Sequence, residues 1–203
     1  MYLIKLSLDP NHPSVRQSLR DRNDLHRNLM KAFHSPRADV CVLYRLIEKK
    51  DRLEVLLLTQ EQPVAANWQN NGIFVISTVD LGELPALYRE GAILHFNLLA
   101  SPSKKVKEEG RENSRRVFLR KAEDRQLWLQ HQAEKYGFSV LSCSEPAEPG
   151  NIRVGRSSGA FMLSTVEFDG VLQITDADLF WDSWKKGIGA EKAYGLGLLL
   201  LSK

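Results

Sequence analysis

The order of its patterned segments constrains this chain more than any single residue does. Met1–Leu8 alternates, with Tyr2, Ile4, Leu6 and Leu8 on one side and Leu3, Lys5 and Ser7 on the other, the period-2 signature of a strand. The break Asp9-Pro10-Asn11-His12-Pro13 leads into Ser14–Phe33, where Leu25, Leu29, Ala32 and Phe33 are spaced as one buried helical stripe. Val40–Ile47 and Leu53–Thr59 are β-rich runs around a charged turn. Asp80–Tyr88 is a weak helix carrying Pro85, and Ile93–Leu99 is a strand. The sum is β-α-β-β-α-β.

After a polar break at Ser101–Ser114 the same order returns. Arg115–Leu119 is a short strand, Ala122–Tyr136 a helix, Phe138–Cys143 a strand and Glu145–Gly159 a Pro/Gly/Ser loop. Met162–Phe168 and Val171–Thr175 then read as a hairpin about Asp169-Gly170, a strong turn dipeptide. Asp176 caps a helix running to Lys186, with Leu179, Phe180, Ser183 and Trp184 facing inward. The apolar run Leu196–Leu201 is the last strand. The expected fold is α+β: two tandem ferredoxin-like (RRM-like, βαββαβ) domains, residues 1–100 and 115–203, with a basic linker at 101–114.

At 203 residues, 43% hydrophobic and 26% charged, the chain has room for two small cores and is unlike a disordered one. Its two cysteines, Cys41 and Cys143, lie far apart, which argues against a disulfide framework or a zinc site. Without an apolar run near the ~18 residues of a membrane span, or the layout of a signal peptide, the expected compartment is the cytoplasm.

Charge is concentrated. Lys104–Lys121 holds eight basic residues (Lys104, Lys105, Lys107, Arg111, Arg115, Arg116, Arg120, Lys121) against three acidic ones, a local excess above the +3 of the whole chain. Such a run is either a solvated linker or a surface that tracks phosphates without reading bases. Arg153, Arg156, Lys185, Lys186 and Lys192 are placed to extend it. Near the end, Gly187, Gly189, Gly195 and Gly197 bracket Lys192. Two glycine pairs make either a loop whose N–H groups converge on an anion, or a helix C-cap with a tight turn. Of five histidines, His12, His34, His95 and His131 have nothing nearby to complete a site. His26 has Arg22 at i−4, Asn23 at i−3 and Arg27 beside it, at the edge of the Leu25/Leu29 stripe, where an imidazole can exchange protons at cellular pH.

The segments MYLIKLSL, DLHRNLMKAF, FNLLASPSKK, VEFDGVLQITD and GIGAEKAYGLGLLLL together resemble the CRISPR type I-E precursor-RNA endoribonucleases, the CasE family, along the whole chain. The resemblance implies two ferredoxin-like halves and cleavage of the CRISPR repeat transcript at the base of its stem-loop, with neither metal nor cofactor. It implies attack by a ribose 2′-OH on the adjacent phosphate, leaving a cyclic phosphate and a 5′-OH. His26 matches the family histidine and Lys31 a lysine that steadies the phosphorane. A tyrosine that some members carry three positions before the histidine is Asn23 here, so a second proton must come from Lys31, water or elsewhere. Lys192, the four loop glycines, Arg27, the 104–121 segment with Lys104, Lys105, Arg111, Arg115, Arg116 and Arg120, and the Arg153–Ser158 loop with Arg156 match RNA-gripping regions. Retention of the product crRNA with other subunits of the Cascade complex is implied as well. Two other functions fit the residues alone: a non-catalytic RNA-binding subunit on the same fold, and a small-molecule enzyme whose glycine loop holds a nucleotide phosphate.

Overall fold

A computed structural model of the chain describes residues 1–35, 40–82, 88–107, 114–156 and 159–203. The first sheet contains β1 (Tyr2–Leu8), β2 (Leu43–Lys49), β3 (Arg52–Thr59) and β4 (Ile73–Asp80) in the order β2-β3-β1-β4, all neighbours antiparallel. Ile4, Leu6 and Leu8 of β1 are buried, as alternation predicts, beneath α1 (Pro13–Arg20), α2 (Arg22–Met30) and α3 (Ala66–Gln69). Each such aliphatic chain contributes about 1.5–3 kcal/mol by leaving water. The Trp68 indole N–H donates to the Leu29 carbonyl at 2.9 Å, fastening α3 to the last turn of α2.

The single helix expected over Ser14–Phe33 is two helices. Asp21 separates them in an extended conformation (φ −147°, ψ 115°) and caps the second, its carboxylate accepting from the Asn23 N–H. The weak helix expected over Asp80–Tyr88 falls mostly outside the described residues, and Asp80 itself ends β4.

β5 (Ile93–Ala100) departs from expectation. It does not close the first sheet but pairs antiparallel with strands at the far end of the chain. β6 (Ser103–Val106) and β7 (Arg115–Phe118) follow, then α4 (Ala122–Lys135), β8 (Phe138–Ser144), β9 (Gly150–Arg156), β10 (Gly159–Ile174), α5 (Ala177–Lys186) and β11 (Leu199–Ser202). The second sheet runs β11-β5-β10-β8. Each sheet thus shows the ferredoxin-like order of fourth, first, third and second strand in one direction or the other. The passage between them lies between Asp80 and Ile93, rather than across 101–114. Phe96, Leu98, Phe138, Val166, Phe168, Phe180 and Trp184 form the second core.

Three further expectations are corrected. The stretch read as a linker carries a two-stranded hairpin, in which β7 pairs with β6 and does not open the second sheet. The loop expected over Glu145–Gly159 contains β9, paired along the first half of β10. Asp169-Gly170 is no turn: β10 continues straight through it, with Gly170 opposite Phe96 on one side and Cys143 on the other. Glycine stands there because a Cβ would lie 2.0 Å from the Ser142 carbonyl oxygen of β8, so close backbone approach excludes any side chain. On α5, Trp181 is buried in place of Leu179, which is exposed.

Candidate functional site

His26 lies midway along α2 and is 5% exposed. It stacks on Tyr44 of β2, with ring centroids 6.3 Å apart and planes inclined by 18°. Tyr44 reaches into the glycine-rich loop. Its hydroxyl lies 3.1 Å from the Ala193 carbonyl and 3.2 Å from the Arg22 carbonyl, so one proton joins the first turn of α2 to that loop. Gly195 packs on the same ring: at φ 83° it occupies a region costly for other residues, and a Cβ would meet Tyr44 Cε2 at 2.8 Å. The sequence-predicted histidine and glycine loop therefore share one tyrosine.

The loop itself runs from Gly187 to Gly197. Gly187 ends α5 as a C-cap, its N–H donating to Trp184 O at 3.3 Å, and Gly189 rests on Trp128 of α4. Lys192 opens a single 3₁₀ turn, Lys192–Tyr194, that packs against α2. Asn23, Gly189, Ala190, Glu191, Lys192 and Tyr194 line one groove, so Asn23 and the loop lysine share it. Burial, reinforced by the nearby Lys135 ammonium, holds the Lys192 amine below the ordinary lysine value.

A second groove lies on the other side of Asn23, lined by Asp21, Asp24, Arg27, Arg153, Gly155, Gly159 and Ala160. Both expected arginines are held by carboxylates here, Arg27 by Asp24 and Arg153 by Asp21 at 3.3 Å. Burial raises the Asp24 pKa, but hydrogen bonds from Arg27 and Gln17 outweigh it and hold the carboxyl below its usual value. Of Arg156 only the backbone in β9 is described, and Arg111 lies outside the described residues.

The basic hairpin β6–β7 exposes Lys104, Lys105, Arg115 and Arg116. Its register sets Lys105 directly opposite Arg116. Like charges across a strand pair are destabilising in isolation, so this register suits an anion laid over it. The base of the hairpin is tied to α4, where the buried Arg125 donates to Arg120 O at 2.5 Å and pairs with Glu145. One turn further along α4, Trp128 carries Gly189, so the hairpin and the glycine loop rest on the same helix.

Lys31 is placed differently from His26. It is the C-cap of α2, so the helix ends just before it. Its ammonium donates to Asn71 Oδ1 at 3.1 Å, next to the start of β4, whereas His26 stacks on β2. These contacts draw the two towards opposite edges of the first sheet. Lys185 sits over the Trp181 ring at 5.6 Å and beside Asp182 at 3.4 Å. His12 is structural, its Nδ1 accepting from the Ser14 N–H at 3.2 Å. Among the described residues no three His, Cys, Asp or Glu side chains group as metal donors, and no helix is long and apolar enough to cross a membrane.

Sequence reasoning missed Tyr44 and Asp21. Tyr44 sits inside VCVLYRLI and is indistinguishable from a core residue. Asp21 did leave a signal, since Asp21-Arg22-Asn23-Asp24 is an N-cap pattern in mid-segment.

Known proteins resemble this chain over its full length. A family model described as CRISPR associated protein matches residues 1–203. A Thermus thermophilus protein named CRISPR-associated endoribonuclease Cse3 is 29% identical, with 98% of each chain covered. An Escherichia coli K12 protein named CRISPR system Cascade subunit CasE is 30% identical, over 100% of this chain and 99% of its own length. A solved structure of Thermus thermophilus Cse3, bound to an RNA representing a pre-cleavage complex, superposes with a TM-score of 0.85 at 26% identity, covering 100% of this chain and 98% of that one.

Proposed function

This chain belongs to the CRISPR-associated protein family, in its type I-E CasE branch, and from that we propose that it is an endoribonuclease that cuts CRISPR repeat precursor RNA at the base of its stem-loop. One observation carries the reading at this chain's own residues: the His26 ring, the glycine-rich loop and the start of α2 meet on Tyr44.

The cut is a transesterification. The ribose 2′ oxygen attacks the adjacent phosphorus, the bond to the 5′ oxygen breaks, and the products are a 2′,3′-cyclic phosphate and a 5′-OH. One proton leaves the 2′-OH and another reaches the departing 5′ oxygen. His26 supplies one of these transfers, since an imidazole exchanges protons near neutral pH. The residue is 5% exposed, so it meets a phosphate only when the groups that cover it move aside as RNA seats. Lys31, whose ammonium is held by Asn71 at the β4 edge, must leave Asn71 and turn towards His26 to steady the phosphorane charge. Asn23 cannot carry a proton, which leaves the second transfer to Lys31 or to water. Lys104, Lys105, Arg115 and Arg116 on the hairpin, Arg27 and Arg153 at the second groove, and Lys192 on the glycine loop hold the stem by its phosphates; the N–H groups of Gly187, Gly195 and Gly197 are spent on backbone carbonyls. Product crRNA stays bound as part of Cascade, in the cytoplasm.

The depth of His26 favours one alternative: a subunit that grips the stem-loop and never cuts it. Incubation with repeat RNA in EDTA separates the two, using a second substrate that carries a 2′-deoxy residue at the scissile position. The nuclease reading expects cleavage of the first, with a cyclic-phosphate end, and none of the second. Tight binding of both with cleavage of neither favours the alternative.

A further inference from the structure

We infer that Asp21 is a positioning residue: its carboxylate sets where α2, and with it His26, stands against the β9–β10 hairpin. The inference rests on the nuclease reading for its consequence and on contacts for its geometry. Capping α2 needs one acceptor, and Asp21 Oδ1 takes the Asn23 N–H at 2.9 Å. The same oxygen takes the Gly155 N–H at 2.9 Å, and Oδ2 lies 3.3 Å from Arg153 Nη1. These two donors belong to β9, more than 130 residues away in sequence. Serine, threonine or asparagine would cap the helix as well. A side-chain oxygen at this reach also holds β9 by the Gly155 N–H, and a carboxylate adds the Arg153 guanidinium.

The partner surface is shaped to receive it. A Cβ on Gly155 would lie 2.1 Å from Asp21 Oδ2, so glycine at 155 leaves room for the carboxylate itself. The Asp21 side chain is 12% exposed, and α2 packs against β9 along this contact. His26 follows five residues later, roughly 7.5 Å along the helix at ~1.5 Å per residue. Tyr44 fastens the same first turn to the glycine loop through the Arg22 carbonyl. Elements of the second domain therefore grip the start of α2 from two sides. A displacement near 1 Å at a reacting group can cost on the order of 100-fold in rate, which makes such a grip matter for cleavage more than for folding.

A double-mutant cycle tests this, read as single-turnover cleavage at saturating stem-loop RNA beside RNA affinity. Asp21→Ser keeps a cap and loses the reach to β9; Gly155→Ala attacks the clamp from the other side. Each is expected to lower the cleavage rate at saturating RNA about 10–100-fold, whatever the change in affinity at this groove. The double variant should be no worse than the poorer single one, because both break one contact. Asp21→Asn, which keeps Oδ1 for both N–H groups, should return most of the rate. Cleavage by Asp21→Ser at the wild-type rate, losses that multiply, or no rescue by asparagine would overturn the inference. Should Asp21→Ser fail to fold, Gly155→Ala and Asp21→Asn carry the comparison. Amide exchange at Gly155, slow in the wild type and faster in Asp21→Ser, reads the clamp without cleavage. A wild-type chain that never cuts would sink the nuclease reading while leaving that measurement standing.

Discussion

A charge on Lys192 comes at a cost to the fold. Half-buried and near Lys135, its amine is held below the ordinary lysine value of 10.5. A lysine shifted this way destabilises the fold while it is charged, at every pH below the lowered value. That penalty fades as pH climbs from there to 10.5, because in that window the unfolded chain binds more protons. Lys192→Met should therefore raise the melting temperature at pH 7. It should also weaken stem-loop RNA binding and reduce the slope of log affinity against log salt by about 0.9, one phosphate contact. A lower melting temperature with unchanged RNA affinity would show that Lys192 is structural. His26 and Lys192 could be singled out in the sequence as candidates, because a histidine in basic company and a lysine between glycine pairs stand out locally. Tyr44 and Asp21 did not stand out, since their partners Ala193 and Gly155 lie more than 130 positions away.

At the level of elements, periodicity located most strands and helices, and its errors have identifiable causes. Asp-Gly signals a turn because glycine tolerates positive φ, but Gly170 is there for space, beneath the Ser142 carbonyl. Arg115–Phe118 reads as a short strand, but its partner Ser103–Val106 was hidden, being four residues long with two lysines inside a charged run. β9 was hidden by Gly150 and Gly155, the latter needed beside Asp21. The hairpin has its own test. Arg115→Glu with Arg116→Glu should flatten the salt dependence of RNA binding by about 1–2 in slope and weaken it at low salt. An unchanged slope would take the hairpin out of the interface.

Over the whole molecule, the repeated ferredoxin-like order was legible, while the sheets that β5 and β7 join were not. β5 follows the first domain in sequence and looks like its closing strand, yet pairing with β10 and β11 places it in the second sheet, a choice no local pattern encodes. The two sheets are then locked by contacts that run through the candidate site. Leu43 and Leu58 of the first sheet pack into the second core, and Arg45 of β2 reaches Glu167 of β10 at 3.0 Å. Burial pulls the Arg45 pKa down, and the Glu167 carboxylate opposes that shift. Between these fixed bodies lie His26, the glycine loop and the β9–β10 hairpin, an arrangement suited to gripping a folded RNA stem from both domains. The most direct measurement is cleavage of the repeat stem-loop RNA in chelator by the wild-type chain and by His26→Ala, with RNA affinity measured for both. General acid–base catalysis contributes about 10²–10⁴-fold, so the variant should bind RNA as the wild type does and cut it at least ~100-fold more slowly. Equal cutting by His26→Ala would contradict the account.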